Sequence, residues 1–179
     1  LSALGDESVS AITQLMNAEQ LVELFDYMEP DDATDVVELL PEALRQRVLA
    51  RIRGEEDLDD LTELLAWPSD SAGGIMSPEV FLQHQSRTCG AAIAELQERH
   101  EELENAFYLY VVDDEARLVG VVSLRSLLVH AASTPLVSIM SSDIIAVRPR
   151  TDQEEVARVV ARYDLLAVPV VDQDGRLLG

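Results

Sequence analysis

One stretch of the sequence, FYLYVVDDEARLVGVVSLRSLL at 107–128, most constrains what this chain can fold into. An apolar, β-branched run at 108–112 and a second run at 118–122 flank a short acidic interruption. That pattern is typical of two strands joined by a tight turn. Ser123 then precedes an apolar helical pattern and is a suitable N-cap. The stretch therefore predicts a strand, a turn, a strand and a helix, in that order.

Much of this stretch occurs a second time. Residues 168–179 read VPVVDQDGRLLG and match YVVDDEARLVG at 110–120 in the apolar strand, the acidic turn, the Arg-Leu pair and the glycine. The preceding segments also correspond, since Met76 aligns with Met140. A recurrence in constant order indicates a repeated structural unit, here β-α-β-β-α. The second unit reaches Gly179 before its closing helix, so we expect the natural chain to continue.

Each repeat also predicts elements ahead of its hairpin. A short apolar strand is expected at 80–82 in the first repeat and at 144–147 in the second. A helix should follow each of them, from about Thr88 in the first repeat and after Thr151 in the second.

Residues 6–67 carry a different pattern. Apolar residues recur there at helical spacing in five short pieces. Pro30 and Pro41 fall where a new helix would begin, and Gly54 falls where one would end. Because isolated helices this short are marginal in water, they must pack on one another. We predict an all-α N-terminal domain in which short helices form a superhelical array.

The chain is strongly acidic, and the charge is unevenly distributed. The formal net charge is −21 at pH 7, and residues 1–70 hold 18 carboxylates against 4 arginines while residues 71–179 hold 16 against 9. Such a surface repels nucleic acid and anionic lipid headgroups and concentrates cations. We expect no nucleic-acid partner. Since no apolar run is long enough to span a bilayer, we expect this part of the protein in the cytosol or on a membrane face.

An acidic cluster opens the third predicted helix, where Asp31, Asp32 and Asp35 follow Pro30. The helix dipole favours negative charge at this end, which explains the cluster without any ligand. Asp31 and Asp35 nevertheless share a helix face, where like charges repel by roughly 0.2–0.5 kcal/mol. A divalent cation between them would reverse that sign, and oxygen ligands favour Mg²⁺, Ca²⁺ or Mn²⁺ over Zn²⁺. Both interpretations remain open at this point.

A break in the helical period follows at 67–74, WPSDSAGG. Pro68 and the pair Gly73 and Gly74 mark a linker or a domain boundary. Glycine also lets the backbone approach another group closely, so a free carbonyl at this point can serve as a ligand.

An enzymatic function is not indicated. His84, His100 and His130 are scattered, no Ser-His-Asp or Cys-His pairing has supporting context, and no Gly-rich phosphate loop precedes a helix. We predict that the protein is not an enzyme. A structural helical adaptor, whose acidic residues only solvate its surface, remains an alternative.

The repeat resembles the tandem modules of the cystathionine β-synthase type, known as CBS modules. The order of segments along the chain resembles the cytosolic part of MgtE-type magnesium transporters or channels. The most specific motifs are SAGGIMSPE at 71–79, YLYVVD at 108–113 and TDQEEVA at 151–157. The resemblance implies an α+β fold in four parts: an acidic helical N domain, given in part, at 1–67, a linker at 68–75, a first CBS module at 76–133 and an incomplete second module at 134–179.

The same resemblance implies a magnesium sensor at the cytoplasmic face of the cell membrane. It implies a homodimer through the CBS modules and a transmembrane pore domain in the same polypeptide beyond Gly179. In that family, bound Mg²⁺ joins the acidic helical domain to the CBS pair and favours the closed pore. The implied ligands here are the side chains or backbone carbonyls of Asp31, Asp32, Asp35, Gly74, Glu154, Ala161 and Asp164.

CBS pairs also bind ATP or related adenosine nucleotides, and the resemblance assigns Tyr108, Arg125, Val147 and Arg148 to such a site. Members that bind these ligands hold the ribose hydroxyls with an aspartate, and Ser126 stands at that position here. A serine hydroxyl does not reproduce the two acceptor oxygens of a carboxylate. Nucleotide binding therefore stays open at this point. A soluble regulator that senses adenosine nucleotides is the alternative function.

Overall fold

The chain divides into two compact units between Pro78 and Glu79. The computed structural model describes residues 6–52, 59–99 and 107–179. The first unit is built from helices, and the second combines helices with a small sheet, which confirms the predicted α+β class. Within the described ranges, every helix is too short or too polar to cross a bilayer.

Short helices make up the described part of the first unit, as the hydrophobic period predicts. They are α1 (Asp6–Thr13), α2 (Ala18–Phe25), α3 (Pro30–Leu39), α4 (Glu42–Ile52) and α5 (Asp59–Leu64). Pro30 is the first residue of α3 and Pro41 directly precedes α4. Proline is suited to these positions because the first amides of a helix have no intrahelical acceptor. Gly54, predicted to end a helix, lies outside the described residues.

One apolar core holds these helices together. Each of α1–α5 contributes to it, and among its most buried side chains are Leu21, Phe25, Val37, Val48 and Leu61. Helix α2 packs on α4, while α3 packs on both α1 and α5. Because each helix buries its apolar face against others that are distant in sequence, the helices are stable as a set rather than singly.

The second unit opens with a parallel β-α-β element. Strand β1 (Leu82–His84) leads through α6 (Cys89–Glu98) to β2 (Tyr108–Val112), which pairs antiparallel with β3 (Leu118–Ser123). The sheet order is β1-β2-β3. The hairpin confirms the sequence prediction, but the strand predicted at 80–82 is wrong by two residues. The apolar residues at 80–82 lead into the strand, and pairing with β2 begins only at Leu82.

Helix α6 and the two later α-helices of the second unit begin at side-chain caps. Ser123 accepts from the Ser126 amide at 3.1 Å and starts α7 (Leu124–Val129), as predicted. A short 3₁₀ helix follows at Leu136–Ser138. Asp152 caps α8 (Gln153–Tyr163) by accepting from an amide of the first turn.

The strands predicted for the second repeat are reduced to isolated bridges. The segment predicted as a strand at 144–147 contributes a parallel bridge from Val147 to Val170, and Val171 bridges antiparallel to Leu177. Both predictions of regular strands are therefore wrong. Pro169 precedes these residues and has no N–H to donate, so it interrupts a ladder that the apolar pattern alone would extend.

The acidic turns of the two repeats share their internal hydrogen bonds. Asp113 and Asp172 each accept, through Oδ1, from the amides two and four residues later, at 2.8–2.9 Å. The residue that closes each turn differs between the repeats. It is Ala116, with a φ of 60°, in the first turn and Gly175, with a φ of 84°, in the second. A left-handed backbone is strained for alanine and relaxed for glycine.

Replacing Ala116 with glycine should raise the free energy of unfolding by about 0.5–1 kcal/mol, because the relief of strain exceeds the extra chain entropy of glycine. Urea unfolding of the purified chain measures this difference. Gly175→Ala is the matched control, since a Cβ there meets no atom within 4 Å, and it should destabilise by about 1 kcal/mol. An Ala116→Gly variant no more stable than the parent would show that the turn is unstrained.

Candidate functional site

The acidic cluster at the start of α3 is partly buried. Asp31 and Asp32 lie half-buried in the first turn after Pro30, and Asp35, one turn later, is exposed. In the described part of the chain, Oδ1 of Asp31 is a buried side-chain oxygen without a hydrogen-bond partner. Burying a polar oxygen without a partner is costly, and more so when it is charged. This atom is the feature of the first unit that most favours a bound cation.

The environment of Asp31 disfavours its negative charge. Burial raises the pKa of the Asp31 carboxyl above its ordinary value, the backbone N–H groups of Asp32 and Asp31 offset part of the rise, and the Asp32 carboxylate adds to it. Because the folded-state pKa lies above the unfolded one, stability falls as the pH rises through this range and Asp31 ionises. A cation beside the carboxylate would counteract that loss.

Gly74 lies in a tight turn, where its amide donates to the Ser71 carbonyl at 3.0 Å. A Cβ on Gly73 would lie 2.6 Å from Cγ of Trp67, and one on Gly74 would lie 2.3 Å from the carbonyl oxygen of Pro68. The backbone therefore requires glycine at both positions. These glycines have a packing role whether or not the Gly74 carbonyl binds a cation.

The carboxyl end of α8 exposes backbone oxygen. Asp164 is the C-cap, with a left-handed backbone of φ 51° and ψ 47°. The amides of Asp164 and Leu165 both turn back to the Val160 carbonyl, the second at 3.1 Å. In an uninterrupted helix the Leu165 amide would bond to the Ala161 carbonyl, so that carbonyl is released from this amide. Together with the negative end of the helix dipole, these groups favour a cation.

Glu154 lies at the opposite end of α8. Its Oε2 pairs with Nη2 of Arg158 at 2.9 Å, and both side chains are mostly exposed. An exposed pair of this kind contributes about 0.3–0.5 kcal/mol, so it competes only weakly with a cation. Glu154 and Ala161 are separated by about 10 Å along the helix axis. This separation is too large for one ion to contact the backbone at both positions.

The predicted metal ligands do not form a preassembled cluster. Across residues 6–52, 59–99 and 107–179, no three His, Cys, Asp or Glu side chains come together in a group able to hold a metal ion. The predicted ligands are divided between the two units, with Asp31, Asp32, Asp35 and Gly74 in the first and Glu154, Ala161 and Asp164 in the second. Their assignment to cation sites stays a prediction supported by local features.

A pocket of about 100 Å³ lies within the second unit, between the two repeats. Its lining is largely apolar and consists of Tyr108, Tyr110, Val121, Asp143, Ile144, Ile145, Leu165, Ala167 and Pro169. Of the four residues predicted to bind nucleotide, Tyr108 lines this pocket. The sequence reasoning missed Tyr110, although the two-residue period of a strand, which places 108 and 110 on one face, was a signal that could have found it.

The other predicted nucleotide-binding residues lie outside this lining. Arg125 is exposed on α7. Val147 is buried and bridges to Val170. The guanidinium of Arg148 donates to the Val171 carbonyl at 3.3 Å and to the next carbonyl along the chain. Arg148 thus helps to hold the second repeat together, and its role in ligand binding stays a prediction.

Comparison with known proteins identifies both parts of the chain. Residues 1–70 match the family model of the MgtE intracellular N domain, and residues 72–133 and 136–179 match that of the CBS domain. The fold is therefore a helical N domain followed by CBS domains.

The chain belongs to the MgtE family, which confirms the resemblance seen in the sequence. It is 37% identical over 155 residues to the magnesium transporter MgtE of Thermus thermophilus, which covers 83% of this chain and 34% of that protein. It is 40% identical over 124 residues to MgtE of Enterococcus faecalis, covering 69% and 27% of the two chains. This chain thus spans about a third of the length of these relatives.

Solved structures agree in fold over nearly the whole chain. The chain matches the crystal structure of the cytosolic domain of the Mg²⁺ channel MgtE in complex with ATP with a TM-score of 0.87 and 33% identity, covering 99% of this chain and 73% of that one. It matches the soluble part of a magnesium transporter with a TM-score of 0.89 and 33% identity, covering 97% and 67%. The helical N domain and CBS fold predicted from the sequence are confirmed.

Replacing Asp164 with glycine should raise the free energy of unfolding by up to about 1 kcal/mol, since glycine adopts the left-handed C-cap without a Cβ. Calorimetry in EDTA measures this effect in the absence of divalent cations. Asp164→Asn is the matched control, because asparagine also tolerates this backbone, and its stability should stay close to that of the parent. A destabilised glycine variant would mean that the Asp164 side chain makes a structural contact.

Proposed function

We propose that this chain is the cytosolic, magnesium-sensing region of a magnesium transporter or channel, at the cytoplasmic face of the membrane, and that it is not an enzyme. Divalent cations join the acidic helical unit to the CBS pair, and this favours the closed state of a pore in the same polypeptide. The observation that carries the proposal is the buried, unpartnered Oδ1 of Asp31, with the carboxylates of Asp32 and Asp35 nearby on α3. The names of the MgtE relatives support it.

Electrostatics provides the mechanism. Acidic residues outnumber basic ones in both parts of the chain, so the two units repel each other until cations neutralise them. A hard cation is coordinated by six or more oxygen ligands. The predicted ligands are divided between the two units. An ion that takes oxygens from both units binds the joined arrangement more tightly than the separated one. Closure therefore becomes a function of cation concentration.

Raising Mg²⁺ from zero to millimolar concentrations should reduce the radius of gyration of this chain, as measured by small-angle X-ray scattering. Asp31→Asn combined with Asp35→Asn should shift the midpoint of that change to Mg²⁺ concentrations about tenfold higher, the effect of losing roughly 1.4 kcal/mol of binding energy. Glu19→Gln with Glu23→Gln removes the same charge from α2 and should leave the midpoint near that of the parent.

Stability in EDTA separates this proposal from a capping role for the same carboxylates. Burial already opposes ionisation of Asp31, so the double asparagine variant should keep its melting temperature without divalent cations. A sharp loss of stability in EDTA would identify the carboxylates as helix caps. A radius of gyration that does not respond to Mg²⁺ in the parent would overturn the sensor proposal.

A second candidate function is the sensing of an adenosine nucleotide such as ATP by the CBS pair. The pocket between the two repeats favours it, because Tyr108 and Tyr110 combine with aliphatic side chains to form walls suited to a flat ring. The similar MgtE cytosolic domain is described as a complex with ATP. Ser126 is the feature that weakens this candidate. Calorimetric titration of the chain with ATP tests it directly.

We also propose a homodimer through the CBS modules. Leu128 and Val129 on α7 and Val137 on the 3₁₀ helix are exposed by 73%, 69% and 51% of their surfaces. Large apolar side chains exposed to solvent are typical of surfaces for association, and self-association commonly follows a two-fold axis.

Replacing both Leu128 and Val129 with aspartate should convert a dimer into a monomer, because two charges would be buried in the apolar interface without partners. Sedimentation velocity at micromolar protein concentration measures the change. Leu15→Asp is the control, since Leu15 is 88% exposed in the other unit and should leave the dimer intact. A parent chain that sediments as a monomer would contradict the proposal.

A further inference from the structure

The arginines of the acidic helical unit are concentrated on one helix. Residues 1–70 contain four arginines, all of them at 45–53, against 18 carboxylates. Three of the four lie on α4, where Arg45 pairs with Glu42. The other two, Arg47 and Arg51, are four residues apart and therefore lie on the same side of the helix. The unit thus gathers positive charge at one place on an acidic surface.

Arg47 and Arg51 have no carboxylate partner among the described residues. Nε of Arg47 donates to the Ala43 carbonyl of the same helix at 3.2 Å. Across residues 6–52, 59–99 and 107–179, neither guanidinium forms an ion pair, and Arg51 makes no hydrogen bond. Like charges at this spacing repel each other. An anion that contacts both guanidinium groups would offset this repulsion and add two attractions.

A pocket of about 370 Å³ lies beside this arginine pair, within the helical unit. Its lining consists of Asn17, Ala18 and Glu19 from the start of α2 and of Arg47, Ala50 and Arg51 from α4. The volume falls within the roughly 300–1,000 Å³ that is typical of small-molecule sites. The two guanidinium groups are therefore positioned at a cavity large enough for a small ligand.

The helix end in this pocket is largely satisfied by its own cap. Oδ1 of Asn17 accepts from the amides of Glu19 and Gln20, at 2.9 and 3.0 Å. The arginines, rather than the start of α2, are therefore the main donors left for a ligand. A guanidinium presents a planar fork of N–H groups that matches the two oxygens of a carboxylate.

Glu19 limits the charge of the ligand that this pocket favours. Its carboxylate is part of the lining and pairs with neither arginine in the part of the chain that the structure describes. Two guanidinium groups and one carboxylate give the lining a formal net charge of +1. A monoanion balances this charge, whereas a phosphate monoester, with nearly two negative charges, meets stronger repulsion from Glu19. Ala18, Ala50 and the methylene stems of the arginines offer apolar contact to the rest of a ligand.

We propose that this pocket binds a small organic monocarboxylate, whose carboxylate is held by Arg47 and Arg51. The candidate cation ligands of the helical unit are not part of its lining, and the proposal does not depend on magnesium or nucleotide sensing. The volume of the cavity favours a small molecule over an acidic side chain of a partner protein.

Benzoate is a suitable probe because it is a planar monocarboxylate with an apolar body. Nuclear magnetic resonance of the isotope-labelled chain follows the Nε–H signals of the arginines during titration. The signals of Arg47 and Arg51 should shift and saturate at millimolar benzoate, the affinity range of so small a ligand. Benzamide has nearly the same shape and no charge, and it should need at least tenfold higher concentrations for the same shifts.

Arg51→Gln removes one of the two guanidinium groups without breaking a hydrogen bond of the described fold. It should weaken benzoate binding about tenfold or more, the range for a hydrogen bond to a charged group, as followed at the Arg47 signal. Arg45→Gln is the matched control, since it removes the same charge from the same helix outside the pocket lining. It should bind benzoate like the parent, and circular dichroism verifies that both variants keep their helices.

Two outcomes would overturn the assignment of Arg47 and Arg51. These are an equal response of the parent to benzamide and benzoate, and an equal loss of benzoate affinity in Arg45→Gln and Arg51→Gln. The absence of a saturable shift at either arginine signal in the parent would overturn the small-molecule site itself and would favour an acidic protein segment as the occupant.

Discussion

The backbone pairing of Val121 with Ser141 links the two repeats of the second unit. It joins the hairpin of the first repeat to the start of the second, and the turns of the two repeats meet as well, through the hydrogen bond from Leu118 to the Gly175 carbonyl at 2.9 Å. Residues of both repeats line the pocket between them. Because β2 buries one face in its own core, its other face becomes a wall of the shared pocket.

The candidate cation ligands occupy opposite ends of two helix dipoles. Asp31 lies at the positive end of α3, yet burial raises its pKa, so the dipole does not fully compensate its desolvation. Asp164 lies at the negative end of α8, where the Ala161 carbonyl is released from the Leu165 amide. Each helix end thus carries an oxygen group whose negative charge or partial charge is not fully compensated, namely the Asp31 carboxylate on α3 and the Ala161 carbonyl on α8. A divalent cation is a single kind of ligand that would satisfy both.

Local sequence patterns predicted the elements whose formation is decided locally. Ser123 was recognised as a cap, and the helices starting at or after Pro30 and Pro41 were found because hydrophobic period and capping chemistry are properties of neighbouring residues. The regular strands expected at 144–147 and around Val171 do not form. Strand pairing needs a partner in register along several residues, and Pro169 removes a donor at that point. The same limit applies to the site, where acidic residues were recognised but the burial of Asp31 was not.

The amino-acid sequence by itself determined the division into an acidic helical part and a repeated β-α-β-β-α part. Hydrophobic periodicity, charge and internal repetition depend only on the order of residues. The tertiary structure decided which oxygen is left without a partner, which carbonyl is released at the end of α8, and that Tyr110 rather than Arg148 lines the pocket. The physical reason is that burial and hydrogen-bond partners come from residues far apart along the chain. They exist only once the elements have packed.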